Sequence, residues 1–182
     1  MAKKYTHINE KHQQFIKQQK IFFVGTAASG GKVSVSPKGM DTLRIRDENI
    51  VLWLNFTGSG NETAAHLLEN DRMTIMFCAF EGNPLILRLY GHARTFHPRD
   101  SNWNELLTLF PITFGVRQII ELDVDLVQTS CGDAVPYYDF VGDRDNLTKW
   151  ANKKGQAGIQ KYWQDNNQFS LDGKPTNILK EN

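Results

Sequence analysis

The chain has 182 residues, 40% of them hydrophobic and 23% charged, with a formal net charge of +1. This is the composition of an ordinary soluble protein, long enough for one domain with a real core. Balanced, evenly spread charge excludes the basic face of a nucleic-acid or membrane-surface binder. Cys78 and Cys131 make neither a disulfide framework nor a CxxC zinc site. The start MAKKYTHINEKHQQ has no apolar leader core, and no run reaches the roughly 18 apolar residues of a membrane span. A cytoplasmic protein is expected, with no nucleic-acid, membrane or metal partner.

A short helix is expected over about Asn9–Gln19, with Phe15 and Ile16 as its apolar face and His7 and His12 on its solvated side. Ile21–Thr26 is a β-type run, and Gly30-Gly31 signals a hairpin into Val33-Ser34-Val35-Ser36. Pro37-Lys38-Gly39 reads as a turn. Strands follow over Thr42–Ile45 and Ile50–Leu54. Gly58-Ser59-Gly60 breaks the pattern, and Ser59-x-x-Glu62 fits a capping box for a helix with Ala64, Ala65, Leu67 and Leu68 as its stripe.

Met73–Phe80 and Leu85–Phe96 read as strands, and Gly91 inside the second suggests a bulge or a close approach. A helix from Pro98 to about Leu109 is stopped by Pro111. In Gln118–Gln128, Ile120, Leu122, Val124 and Leu126 face a core, while Glu121, Asp123 and Asp125 form an acidic row in water. After Thr129 the chain turns polar. It carries a helix over about Asn146–Lys154, a second with Ile159, Tyr162 and Trp163, and a turn-rich end without a core of its own. Strands in succession with peripheral helices favour an antiparallel barrel, a mainly-β fold. The expected organisation is a single domain over residues 1–182. Residues 20–128 form the barrel core, and residues 129–182 an extension lying on the barrel or on a partner subunit.

Three groups of residues suit an anion. Ser34, Ser36 and Lys38 share one strand face, as phosphate ligands or as a solvated edge. Gly58–Thr63 is either a loop that a ligand approaches closely or an ordinary capped helix. Arg88, on an otherwise apolar strand, needs an anionic partner, which a salt bridge or a cofactor would supply. Cys131 is a reactive thiol or a structural one. No catalytic acid, base or nucleophile stands out.

The order FFVGTA, VSVSPKG, LNFTGSGNETAAHLLEN, RMTIMFCAF and LILRLYGHAR resembles the pyridoxamine 5′-phosphate oxidase-like flavoproteins over roughly Lys20–Gln128. The resemblance implies a six-stranded Greek-key FMN-binding split barrel. It also implies a homodimer with FMN at the subunit interface, and an oxidoreductase acting on a small molecule. On the same fold the alternative is a binding or storage protein for flavin, heme or a deazaflavin. By position it assigns the cofactor to Ser34, Val35, Ser36 and Lys38 and to Asn55, Ser59, Gly60, Asn61, Glu62 and Thr63, with Arg88 as a further candidate. True pyridoxamine phosphate oxidases carry Arg-Lys at the position of Glu62-Thr63 and an arginine at Ser34. They also end in an Arg-Leu-x-Pro finish, where this chain has NILKEN, so pyridoxal phosphate chemistry is not implied.

Overall fold

The computed structural model describes residues 2–111 and 114–180, so the outermost positions of the expected 1–182 domain, 1 and 181–182, lie outside the described residues. The strands are β1 (Lys3–Tyr5), β2 (Phe22–Thr26), β3 (Ser34–Lys38), β4 (Leu43–Ile45), β5 (Ile50–Phe56), β6 (Arg72–Cys78), β7 (Ile86–Phe96) and β8 (Val116–Ser130). The helices are α1 (Glu10–Gln18), α2 (Glu62–Leu67), α3 (Trp103–Leu107) and α4 (Asn146–Asn166). All strand pairings are antiparallel, in the order β3-β2-β6-β7-β8-β5-β4, with β1 added to β8. The expected mainly-β fold with peripheral helices is therefore present. Two of the eight strands, β1 and β4, are three-residue ribbons, which leaves six longer ones.

The inner face of the curled sheet supplies Val24, Val51, Trp53, Ile75, Phe77, Leu87, Leu89, Ile120 and Leu122, closed by Ile8 and by Ile16 of α1. Alternation sends Leu52 and Leu54 to the other face, against Trp103 and Leu106 of α3. Among the described residues no helix is long and apolar enough to cross a membrane.

Several local expectations are corrected. His12 is buried: its ring accepts from the Asn9 N–H at 3.3 Å in a capping box and meets Tyr5 edge-on. Pro37 and Lys38 continue β3, which tolerates a proline because it is an edge strand; the turn begins at Gly39. Glu121 is buried and paired with Arg46 and Arg94, so the acidic row is broken. A register shift at Tyr90/Gly91 flips the following residues of β8, so Val127 faces the core and Leu126 pairs with Tyr90. Gly91 is required there: a Cβ would collide with the Asp123 backbone carbonyl. Leu68 stays exposed, because α2 ends at Leu67.

The extension does have a small core, with Ala151, Ile159, Trp163 and Ile178 packed together. The two predicted helices are the halves of α4, broken at Gly155, whose φ of 65° and ψ of 174° are not helical. Trp163 donates its indole N–H to Thr57 Oγ1 at 2.8 Å, Arg99 donates to the carbonyls of Asn177 and Ile178, and Lys32 pairs with Asp172. The end of the extension thus folds back onto its own barrel.

Candidate functional site

The sheet does not close: β3 is one margin and β4–β5 the other. Between them lies a cleft of about 850 Å³, walled by β3, the Gly39–Thr42 turn, β5, the loop of residues 57–61, the start of α2 and Phe169–Leu171 of the extension. Of the residues expected at a cofactor, Ser34, Ser36, Lys38, Asn55, Ser59, Gly60, Asn61, Glu62 and Thr63 line it. The strand period explains part of this, because Ser34, Ser36 and Lys38 turn to the cleft while the Val35 side chain, 68% exposed, turns away. Arg88 is not brought here. It lies on β7, separated from β3 by β2 and β6, and donates to Ser130 Oγ at 3.2 Å.

Lys38 lies across the Trp53 ring, 4.8 Å from its centroid. Burial pushes its pKa down to about 8, Arg117 adds to the push, and Glu62 opposes it. Arg117 was not among the expected residues. It sits at the start of β8, 4% exposed, where burial lowers its pKa to about 10 against the pull of Glu62 and Tyr162. Its guanidinium donates to Gly58 O at 3.4 Å, Gly60 O at 2.6 Å and Asn167 Oδ1 at 3.0 Å. Neither cation is in a salt bridge among the described residues. Arg117 carries the same signal as Arg88, a charge inside an otherwise apolar strand, but β8 begins at Val116, two residues before the expected Gln118.

Glu62 does not complete a capping box. Asn61 is the N-cap residue and makes no side-chain cap bond, and Glu62 Oε1 accepts from the Leu171 N–H of the extension at 3.3 Å. Behind the cleft, Thr63 and Thr26 are 3.5 Å apart, and Thr26 Oγ1 is 3.0 Å from Nδ1 of the buried His66. Asn55 donates to Gln118 Oε1 at 2.9 Å, which leaves the donor Gln118 Nε2 buried without a partner; Arg117 Nε is a second unpartnered donor, and Asn61 Oδ1 an unpartnered acceptor. The unsatisfied Arg117 donor and the desolvated Lys38 in one cleft are the chemistry of an anion site, which the Asn61 oxygen does not assist. The donor set therefore fits a phosphate-bearing cofactor, with Glu62 as an opposing charge. A second cavity of about 980 Å³ adjoins the cleft at residues 37–40 and Leu147, walled also by Phe80, Tyr138 and Phe140. No group of three or more His, Cys, Asp or Glu among the described residues is arranged to hold a metal. Cys131 is exposed and Cys78 buried, both as free thiols.

Residues 8–131 match the family described as pyridoxamine 5′-phosphate oxidase. The chain is 32% identical over 189 residues to the pyridoxamine 5′-phosphate oxidase family protein ustO of Aspergillus flavus, covering 94% of this chain and 76% of that one. In structure it is similar to a HupZ variant of Group A Streptococcus, with a TM-score of 0.57 and 17% identity over 68% of this chain and 99% of that one. It is also similar to HutZ, the heme storage protein of Vibrio cholerae, with a TM-score of 0.51 and 13% identity over 69% and 96% of the two chains. With the half-barrel sheet, the open margin and a match over most of its length, the chain belongs to the pyridoxamine 5′-phosphate oxidase family and has its split-barrel fold.

Proposed function

We propose that the protein binds FMN in the cleft between β3 and β5 and is an oxidoreductase acting on a small molecule. The observation that carries this reading is the pair Lys38 and Arg117, two cations stripped of water in a cleft with no salt bridge to either among the described residues. An anion there restores what burial removed. Lys38, with the hydroxyls of Ser34, Ser36, Ser59 and Thr63, would hold the phosphate, while Asn55, backed by the buried Gln118, offers a polar contact deeper in the cleft. A bound flavin supplies two-electron chemistry. The chain's own residues bind and orient it and keep water from one side of it. The adjoining cavity, walled by Phe80, Tyr138 and Phe140, is placed to receive an apolar substrate. The reading includes a homodimer that brings a second subunit to the cleft, and a cytoplasmic address.

The test is an absorbance spectrum from about 300 to 500 nm after incubation with excess FMN and desalting, with hemin as the parallel ligand. Flavin retained near one per chain supports the reading, and oxidation of NADH or NADPH by the loaded protein supports the enzyme. Retained flavin without turnover leaves a binding protein. Retention of hemin alone would overturn the flavin assignment.

A further inference from the structure

We infer that Asn167, contributed by the C-terminal extension, is a positioning residue of the cofactor cleft. With Arg117 it holds three loop carbonyls inward, so that the N–H groups of Ser59, Gly60 and Asn61 face the cleft and receive a phosphate-class anion. The inference rests on the flavin-phosphate reading and deepens it, because it makes the extension part of the site. The family match stops at residue 131, so Asn167 lies beyond it.

Asn167 is fully buried. Its Nδ2 donates to Gly58 O at 2.9 Å and to Ser59 O at 3.5 Å, and its Oδ1 accepts from Arg117 at 3.0 Å. Arg117 in turn takes Gly60 O at 2.6 Å. The carbonyls of residues 58, 59 and 60 thus all point to one inward cluster. Asn167 is itself held, since its carbonyl accepts from Thr176 Oγ1 at 2.6 Å and from Asn61 Nδ2 at 3.3 Å. No peptide bond among the described residues is cis. In a trans peptide the N–H of the next residue points opposite to the carbonyl. Carbonyls locked inward at 58, 59 and 60 therefore send the N–H groups of residues 59, 60 and 61 outward into the cleft, as successive amides do in an anion-binding nest. No backbone carbonyl among the described residues accepts from these three N–H groups, and the carboxylate of Glu62 lies against Gly60 as the opposing charge. The buried Nε of Arg117, a residue of the cleft wall, is unpartnered and adds positive charge beside the loop.

The experiment compares FMN with riboflavin, the same ring system without phosphate, on the apoprotein and its Asn167→Ala variant. The expected result is a loss of about tenfold or more in FMN affinity, with riboflavin affinity changed by less than about twofold. Ile159→Val, which alters the core of the extension without touching residues 57–61, should leave the ratio of the two affinities unchanged. Should Asn167→Ala fail to fold, Asn167→Leu keeps the size and the neutrality but loses the donor to the carbonyls, and should show the same selective loss. Equal losses for both flavins, or no loss, overturn the inference. A parent chain that takes up no FMN overturns the flavin reading instead. Inorganic phosphate then decides the clamp: shifts of the Ser59, Gly60 and Asn61 amide resonances in the parent but not in the variant support it, and no shift in either overturns it.

Discussion

Replacing Lys38 by methionine should make the ligand-free protein more stable while weakening its hold on FMN. In the folded chain the Lys38 pKa is about 8, against an ordinary 10.5. A gap of that size corresponds to about 3 kcal/mol of penalty on the charged form at neutral pH. Loss of the cation–π contact with Trp53 gives back about 0.5–1 kcal/mol. The net expectation is a gain of about 2 kcal/mol, or a rise in Tm of roughly 4–8 °C for a chain of this size. The sign follows from proton counts. Between pH 8 and 10.5 the unfolded chain holds the proton that the folded chain has lost, so the stability of the parent rises with pH. The advantage of Lys38→Met should therefore be full below pH 8 and gone by about pH 10.5. Urea unfolding of both ligand-free proteins at pH 7 and pH 10 measures it. A variant no more stable than the parent at pH 7, or an advantage that persists unchanged to high pH, refutes the claim that Lys38 is held desolvated. The same titration makes FMN affinity of the parent fall as pH rises above 8.

Glu62→Gln removes the carboxylate that faces the proposed phosphate and keeps an acceptor for the Leu171 N–H. FMN affinity at pH 6.5 should rise by roughly tenfold, consistent with one charge acting at close range in a partly screened site, and a fluorescence titration that finds weaker binding would count against the phosphate placement. His97 is buried, its Nδ1 lacks a partner, and burial takes its pKa down to about 4. The unfolded chain therefore takes up a proton first, and stability should be lost as pH falls from about 6.5 toward 4, by up to about 3 kcal/mol. His97→Leu should flatten that acid limb in a pH series of thermal melts. Gly91→Ala drives a methyl into the Asp123 carbonyl. It should cost roughly 3 kcal/mol, at the upper end of overpacking penalties, and a variant with an unchanged urea midpoint would mean that the β7–β8 bulge is not as tight as described.

Period-2 alternation made the strands legible. Every run read as a strand is one of β2–β8, and Ser34, Ser36 and Lys38 do share the cleft face. Glycines were equally legible where backbone sterics decide, at Gly91 and in the hairpin before Ser34. What could not be read depends on distant partners. Glu62 looked like a capping residue because its true partner, the Leu171 N–H, lies far along the chain. Glu121 looked solvated because its alternation placed it with Asp123, while Arg46 and Arg94 bury it. Arg117 and Asn167 acquire meaning only through the loop at residues 58–60, which neither is near in sequence.

The position of β8 in the sheet sets the order in which this chain can be made. β8 is the strand that joins the β3-β2-β6-β7 ribbon to the β5-β4 ribbon, and it also collects β1 from the far end of the chain. A nascent chain released only as far as α3 holds two separate ribbons with the edges of β7 and β5 unpaired. Such edges invite pairing with other chains, and sheets closed by distant strands form slowly. Synthesis must pass Ser130 before both edges are covered at once. A divided version of the protein for complementation would accordingly be cut after β8, in the exposed segment of residues 139–145, where the sheet is already complete.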